Sequence, residues 1–279
     1  MDIAPRFDEK TTPFSKQHVR LRRRIGYLRR ARRLLRGRKE PSFVDYTLQG
    51  GSKLTLRLVG HNPLWGHFLW NAGRTIALHF ETNPQLVKSK TVLELGAGAG
   101  LPSLISAHLS AKRVVVTDYP DAELIANLSY NIDACAAKLP IVAKGYLWGA
   151  NASTLIDEVK PDEGFDVLIL ADLLFNHSEH GKLVQTVKNS LKKDGTALVF
   201  FTPYRPWLLE KDLAFFDLAK ENGLVVDKVL EKVMDKVMFE EDPGVCKSSA
   251  ISTILLILTT QLQDELLRRT VFGYEMRWS

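Results

Sequence analysis

The spacing of apolar and polar positions changes period several times along the chain, and each change marks an element. Phe43–Leu48 and Leu54–Val59 alternate apolar with polar residues around Gly50-Gly51, which predicts an antiparallel hairpin. Apolar residues then recur at helical spacing over Ala72–Phe80. From Val92 onward, short apolar runs alternate with helical stretches. The pattern predicts strands at 92–95, 114–117, 141–143, 165–171, 196–201 and 225–233, and helices at 101–109, 122–132, 180–191 and 208–222. Asp194-Gly195 is read as the turn that opens the fifth of these strands. Strands apolar throughout, such as Val167-Leu-Ile-Leu170, suit burial on both faces. Arg269–Trp278 alternates again and predicts a last, antiparallel strand at the far side of the sheet. The fold class is therefore α/β and Rossmann-like: seven mostly parallel strands with helices on both faces, preceded by a hairpin.

One segment breaks the pattern. Val245–Gln263 lies where a short connection between the last two strands is expected. It reads either as a lineage-specific loop or as translated intron. Val245-Cys-Lys can be encoded by GTATGTAAG, which looks like a donor splice site. Leu258-Thr259 can carry CTAAC, like a branch point, and Gln263 can be CAG, like an acceptor. Without the segment, Asp242-Pro-Gly would meet Asp264-Glu in a polar, turn-prone link.

The chemistry concentrates at Thr91-Val-Leu-Glu-Leu-Gly-Ala-Gly-Ala-Gly100 and at Val114-Val-Val-Thr-Asp118. Each is an apolar run ending in an acid, and the first continues into three alternate glycines. Such a strand, turn, helix, strand and acid hold a nucleoside against a backbone turn. Gly96 and Gly98 let the backbone approach the ligand closely, and Asp118 can accept hydrogen bonds from a ribose diol. Glu94, just before the turn, suits a ligand carrying an ammonium and a sulfonium better than one carrying phosphates. S-adenosylmethionine is such a ligand; the competing reading is a glycine-rich turn in an α/β protein that binds no nucleotide.

Composition adds limits. Apolar residues make up 45% of 279, ordinary for a globular chain. The longest apolar run, Ile251–Leu258, is far short of the ~20 residues a membrane-spanning helix needs. Cys135 and Cys246 are the only cysteines, so no disulfide framework is implied and a reducing, cytoplasmic compartment fits. The net charge of +6 is unevenly spread: residues 1–40 hold fourteen Lys and Arg against four Asp and Glu, a net of +10, which leaves −4 for residues 41–279. The leader reads as a solvated, poorly ordered tail or a non-native start of the gene model, with an arm that binds nucleic acid or an acidic surface, or a transit peptide, as competing readings. His67, His177 and His180 lack the paired spacing of a metal site, and no metal is expected.

Taken together, Pro63-Leu-Trp-Gly-His-Phe-Leu-Trp-Asn-Ala-Gly73, the glycine turn, Val116-Thr-Asp-Tyr-Pro120, Trp148, Ala171-Asp-Leu-Leu-Phe-Asn-His177 and Val271–Trp278 resemble the seven-strand lysine and N-terminal protein methyltransferases. Within that group the likeness is to the fungal enzymes acting on elongation factor 1-alpha, once classed with nicotinamide N-methyltransferases. It covers residues 41–244 and 264–278, so the domain reading is a basic leader at 1–40 and one methyltransferase domain at 41–279 with an atypical insert at 245–263. The resemblance implies S-adenosylmethionine as methyl donor, lined by Trp70, Glu94, Gly96, Ala97, Gly98, Asp118, Trp148 and Ala171. The glycine turn would take the methionine part, Asp118 the ribose and Trp148 the adenine side. Indole walls favour a flat base and a sulfonium. It further implies elongation factor 1-alpha as protein substrate, a monomer, and no obligatory nucleic acid or membrane.

Asp172 and Asn176 fall just past the fourth strand of the sheet, where ligands of open α/β sheets bind. Asp172 is placed to accept a hydrogen bond from the incoming amine and Asn176 to orient it; helix N-capping is the plainer role for Asp172. Phe201–Trp207, after the next strand, is the expected opposite wall. Trp65 is expected to pack in the core or against the hairpin. Two other functions stay open from the residues alone: methylation of a small amine such as nicotinamide, and a non-catalytic cofactor-binding module whose basic arm holds RNA.

Overall fold

The computed structural model describes residues 40–62, 65–135, 138–161, 163–238 and 262–279. The basic leader through residue 39 and residues 245–261 of the insert lie outside the described residues. Residues 262–269, which include the insert's last two, are helical and run directly into the last strand.

The hairpin consists of β1 (Ser42–Thr47) and β2 (Lys53–Leu58). Its turn places Gly51 at φ 84, a left-handed conformation that glycine adopts without steric cost. Helix α1 (Asn71–Thr82) precedes the repeating part: β3 (Thr91–Leu95), α2 (Leu101–His108), β4 (Arg113–Asp118), α3 (Ala122–Asp133), β5 (Ile141–Gly145), the short α4 (Ser153–Ile156), β6 (Phe165–Ala171), α5 (His180–Ser190), β7 (Leu191–Phe201), α6 (Leu209–Glu221), β8 (Leu224–Val233) and β9 (Thr270–Trp278). The sheet order is β5-β4-β3-β6-β7-β9-β8. Strands β3 to β7 pair in parallel, and β9 runs antiparallel to both β7 and β8. The last strand therefore sits one place in from the edge, inserted between its two neighbours.

Alternation along the strands feeds two cores. Val92, Val114, Val116, Val167, Ile169, Leu198 and Phe200 face α1, α2 and α3 with Ile76, Phe80, Leu104 and Leu128. Leu93, Leu95, Val115, Leu168, Leu170, Val199 and Phe201 face α5 and α6 with Leu183, Val187, Phe215 and Phe216. All of these are almost wholly removed from solvent. This period-two division is why strands apolar throughout are needed.

One turn is corrected. Asp194-Gly195 does not separate helix from strand: β7 starts at Leu191 and carries both residues inside it. The pairing jumps from Phe165↔Leu191 to Val167↔Thr196, so the extra residues bulge out of β7 instead of closing a turn. A Cβ on Gly195 would lie 2.9 Å from the Phe165 carbonyl oxygen, which explains a glycine at the bulge.

Candidate active site

The sheet reverses its direction of growth at β3: the chain goes on to β4 and β5 on one side, then returns to β6 on the other. Ligands of open α/β sheets occupy the crevice at that switch point, beyond the carboxyl ends of the strands. The glycine turn, Asp118 and Asp172 follow β3, β4 and β6 at that end.

The turn is built from left-handed glycines. Gly96, Gly98 and Gly100 have φ of 59, 56 and 77. Side chains are also excluded by neighbours: a Cβ on Gly96 would stand 2.7 Å from Leu173 Cδ2 and 3.3 Å from Trp148 Cζ2. Trp148 and Leu173 therefore close directly on the turn. Ala97 donates its N–H to the Thr117 carbonyl at 2.9 Å, which ties the turn to β4. The Gly98 N–H donates to Asp118 Oδ2 at 2.7 Å, and Asp118 Oδ1 accepts the Tyr119 N–H at 2.7 Å. Asp118 is buried, and that burial pushes its carboxyl above the usual range against the pull of the two N–H groups. Asp118 thus fixes the turn through its own hydrogen bonds.

Glu94 is 1% exposed and accepts the Ser103 N–H in the first turn of α2 at 2.9 Å. It serves a helix whose preceding residue, Gly100, has no side chain to offer. Burial raises its carboxyl to about 8, with Asp118 as a weaker cause in the same direction.

Asp172 has φ 55, in the left-handed region that few non-glycine residues adopt. Its carboxylate is buried and draws three elements together. Oδ2 accepts the Ala72 N–H at 2.9 Å and the Tyr204 hydroxyl at 3.1 Å, and Oδ1 accepts the Thr202 N–H at 2.7 Å. Asp172 does cap a helix, but the helix is α1, a hundred residues earlier, whose own N-cap Trp70 makes no side-chain cap bond. A carboxylate at a helix N-terminus also gains from the helix dipole. Burial lifts the Asp172 carboxyl to about 7, opposed by these hydrogen bonds. Asn176 is half-buried; its Oδ1 accepts the Ser178 hydroxyl at 3.1 Å and its carbonyl accepts the Glu179 N–H at 2.9 Å.

Trp70 stands at the start of α1 with its indole N–H donated to the Trp65 carbonyl at 3.1 Å. Its ring meets Tyr204 edge-on at 5.0 Å. Ala171 ends β6 one residue before Asp172. Trp65 departs from expectation: it is 48% exposed with φ 63, and its ring lies in a stack with His67 instead of in the core. His177–Glu179 form a short turn and His180 opens α5. Among the described residues no group of His, Cys, Asp and Glu could hold a metal ion. None of their helices is long and apolar enough to cross a membrane.

The structure thus gathers Glu94, Gly96, Ala97, Gly98, Asp118 and Trp148 around one turn, and Trp70 with Asp172 around Tyr204. Sequence reasoning does not single out Tyr204, although its segment Phe201–Trp207 has the right place. Its signal is only a hydroxyl shortly after a strand end. Ser103, the partner of Glu94, has no signal in the sequence.

Comparison with known proteins bears on this arrangement. The family model described as lysine methyltransferase matches residues 51–222. The protein N-terminal and lysine N-methyltransferase efm7 of Emericella nidulans is 45% identical over 252 residues, covering 86% of this chain and 90% of its own. The protein of the same name in Schizosaccharomyces pombe is 48% identical over 200 residues, covering 70% and 78%. Among solved structures, a Streptococcus mutans chain assigned to the SAM-dependent methyltransferases superimposes with a TM-score of 0.56 at 11% identity, covering 85% of this chain and 56% of that one. At that identity it speaks for a shared fold.

Proposed function

This chain belongs to the lysine methyltransferase family, and from that premise we propose that it methylates the N-terminal glycine of elongation factor 1-alpha and the lysine beside it. The enzyme is a methyltransferase and its methyl donor is S-adenosylmethionine. The residues present fit that donor: a cradle of three left-handed glycines with no room for a Cβ at Gly96, a buried acid beneath it, and an indole against it. In this reading Gly96, Ala97 and Gly98 with Glu94 hold the methionine part. Asp118 holds the ribose, Trp148 and Trp70 line the flat and sulfonium-bearing portions, and Ala171 closes the floor.

The donor supplies an electrophilic methyl group on a sulfonium. The chain's own work is to place a neutral amine in line with it and to exclude water. A chain N-terminus has a reference pKa of about 7.7–8.0 and a lysine about 10.4. The N-terminal amine is therefore substantially neutral near pH 7.5 and needs no strong base. The lysine must first give its proton to water or to a carboxylate at the site before its lone pair can attack. Asp172 and Asn176, past β6, border the amine side, with Tyr204, past β7, hydrogen-bonded to Asp172. The observation that carries the proposal is the position of these groups past the ends of β6 and β7, beside the turn built on β3, together with relatives whose name joins N-terminal and lysine methylation in one protein.

The test is to incubate the purified chain with methyl-labelled donor and a lysate from cells lacking the activity. A single labelled band, identified as elongation factor 1-alpha with label in its N-terminal peptide, is expected. Label on small molecules alone would point to a nicotinamide-type enzyme.

A further inference from the structure

The loop after β6 is fastened at nearly every residue, and one of its fastenings leads outside the site described above. His180 Nε2 hydrogen-bonds the Leu174 carbonyl at 2.8 Å, and Arg205, from the loop after β7, donates to the Phe175 carbonyl at 3.0 Å. His177 Nε2 reaches Asp212 Oδ1 at 2.7 Å. Asp212 lies in the first turn of α6, yet it faces inward and is only 5% exposed. The rings of His177 and His180 meet edge-to-face at 5.5 Å, and His180 in turn packs on Phe215 of α6 at 5.4 Å. A buried carboxylate is costly unless paired. This one has its partner on the loop that carries Asp172 and Asn176.

We propose that Asp212 is a positioning residue for methyl transfer: through His177 it anchors the loop after β6 to α6 and so sets where Asp172 and Asn176 meet the incoming amine. The inference rests on the proposed placement of the amine at that loop. In-line transfer is sensitive to displacements of about 1 Å, so loosening the anchor should cost turnover more than it costs binding of the donor. Neither His177 nor Asp212 touches the glycine turn or its partners in the hydrogen bonds above.

The test uses the full chain with His177→Ala, Asp212→Ala and His177→Gln. Three quantities are measured: kcat and KM on a peptide of the elongation factor's N-terminus, affinity for S-adenosylhomocysteine by calorimetry, and amide hydrogen exchange over residues 172–180. His177→Ala and Asp212→Ala, which each remove one side of the hydrogen bond, should lower kcat about tenfold or more. The affinity for S-adenosylhomocysteine should stay within about twofold, as expected when only an interaction felt in the transition state is lost. Exchange should quicken in residues 173–177 while β6 and β7 keep their protection. His177→Gln, whose amide can still donate to Asp212, should recover most of both effects. Unchanged kcat and unchanged exchange in folded His177→Ala would overturn the inference, as would a loss of S-adenosylhomocysteine affinity in step with kcat. If the unmodified enzyme methylates no such peptide, the functional reading fails, and the anchor itself is then decided by exchange alone: quickening upholds it, no change rejects it.

Discussion

Replacing Glu94 with glutamine is expected to change the pH dependence of both cofactor binding and stability. The unliganded carboxyl sits at about 8, so at pH 6 to 7 it is protonated and neutral. If the methionine ammonium of the donor is held by Glu94, binding requires the carboxylate. A proton is then released, and the association constant should rise by up to about tenfold per pH unit below that value, levelling above it. In Glu94→Gln the slope from this group disappears. At pH 8.5 the affinity should fall by about 1.5–3 kcal/mol, the worth of a hydrogen bond to a charged group, or roughly tenfold to a hundredfold. Stability moves in the opposite sense. The folded state keeps a proton that the unfolded chain loses above about 4.5, so the wild type loses stability as pH rises from there to about 8. The slope is at most about 1.4 kcal/mol per unit. Asp172 acts in the same direction up to about 7. Burial of His79 and His180 lowers their pKa values, which costs stability as pH falls through their unfolded pKa of 6.5. The comparison of wild type with Glu94→Gln isolates the one group. Because a glutamine carbonyl at this position can still accept the Ser103 N–H, the variant should fold and should be relatively more stable at pH 8 than at pH 5. Calorimetry with S-adenosylhomocysteine in buffers of different ionisation enthalpy counts the released proton directly. No proton release by the wild type, or an identical pH slope in the variant, would refute the reasoning.

Asp118→Ala should weaken S-adenosylhomocysteine binding by about 1.5–3 kcal/mol through the lost ribose acceptor. Because it also frees the Gly98 N–H, Asp118→Asn is the control that separates ligand contact from a loosened turn; unchanged affinity in both, measured by titration calorimetry, would remove Asp118 from the site. Asp172→Ala strands the buried Ala72 and Thr202 N–H groups at about 1–3 kcal/mol each. A melting point several degrees lower is therefore expected alongside lost turnover. Asn176→Ala should lose turnover with donor affinity and melting point nearly intact; steady-state kinetics showing loss of donor affinity alone would contradict its assignment. Deleting residues 1–40 should leave melting temperature and turnover unchanged, which thermal unfolding and a peptide assay on the truncated chain check.

The fold was legible because the strands of this sheet carry their signal within themselves. Val92–Leu95, Val114–Thr117 and Phe165–Ala171 put apolar side chains on both faces, and a doubly covered sheet accommodates such runs. The glycine turn was legible for a related reason: alternate glycines have little use outside a left-handed backbone, and all three adopt one. What could not be read were the partners at a distance. Asp172 looked like the cap of the next helix because capping is local in most chains; here the donor is the Ala72 N–H, brought alongside only by the packing of α1 beside the ends of β6 and β7. Glu94 and Ser103 are nine residues apart across a tight turn, a separation with no periodicity to betray it. Trp65 misled because a tryptophan ordinarily seeks the interior, whereas its left-handed backbone and its stack on His67 leave much of the indole in solvent. Asp194-Gly195 carried a true turn signature, which the chain uses for a bulge within β7.

Methylation of intact elongation factor 1-alpha tests the central claim most directly. Unmethylated factor is incubated with this enzyme and S-adenosylmethionine, in parallel with the same factor whose N-terminus has first been acetylated, and tandem mass spectrometry locates each added methyl group. The account predicts methyl groups on the N-terminal glycine and on the adjacent lysine of the free factor, with none on the glycine once it is acetylated. Methylation confined to internal lysines, or no methylation of the factor by an enzyme that binds S-adenosylhomocysteine, would contradict it.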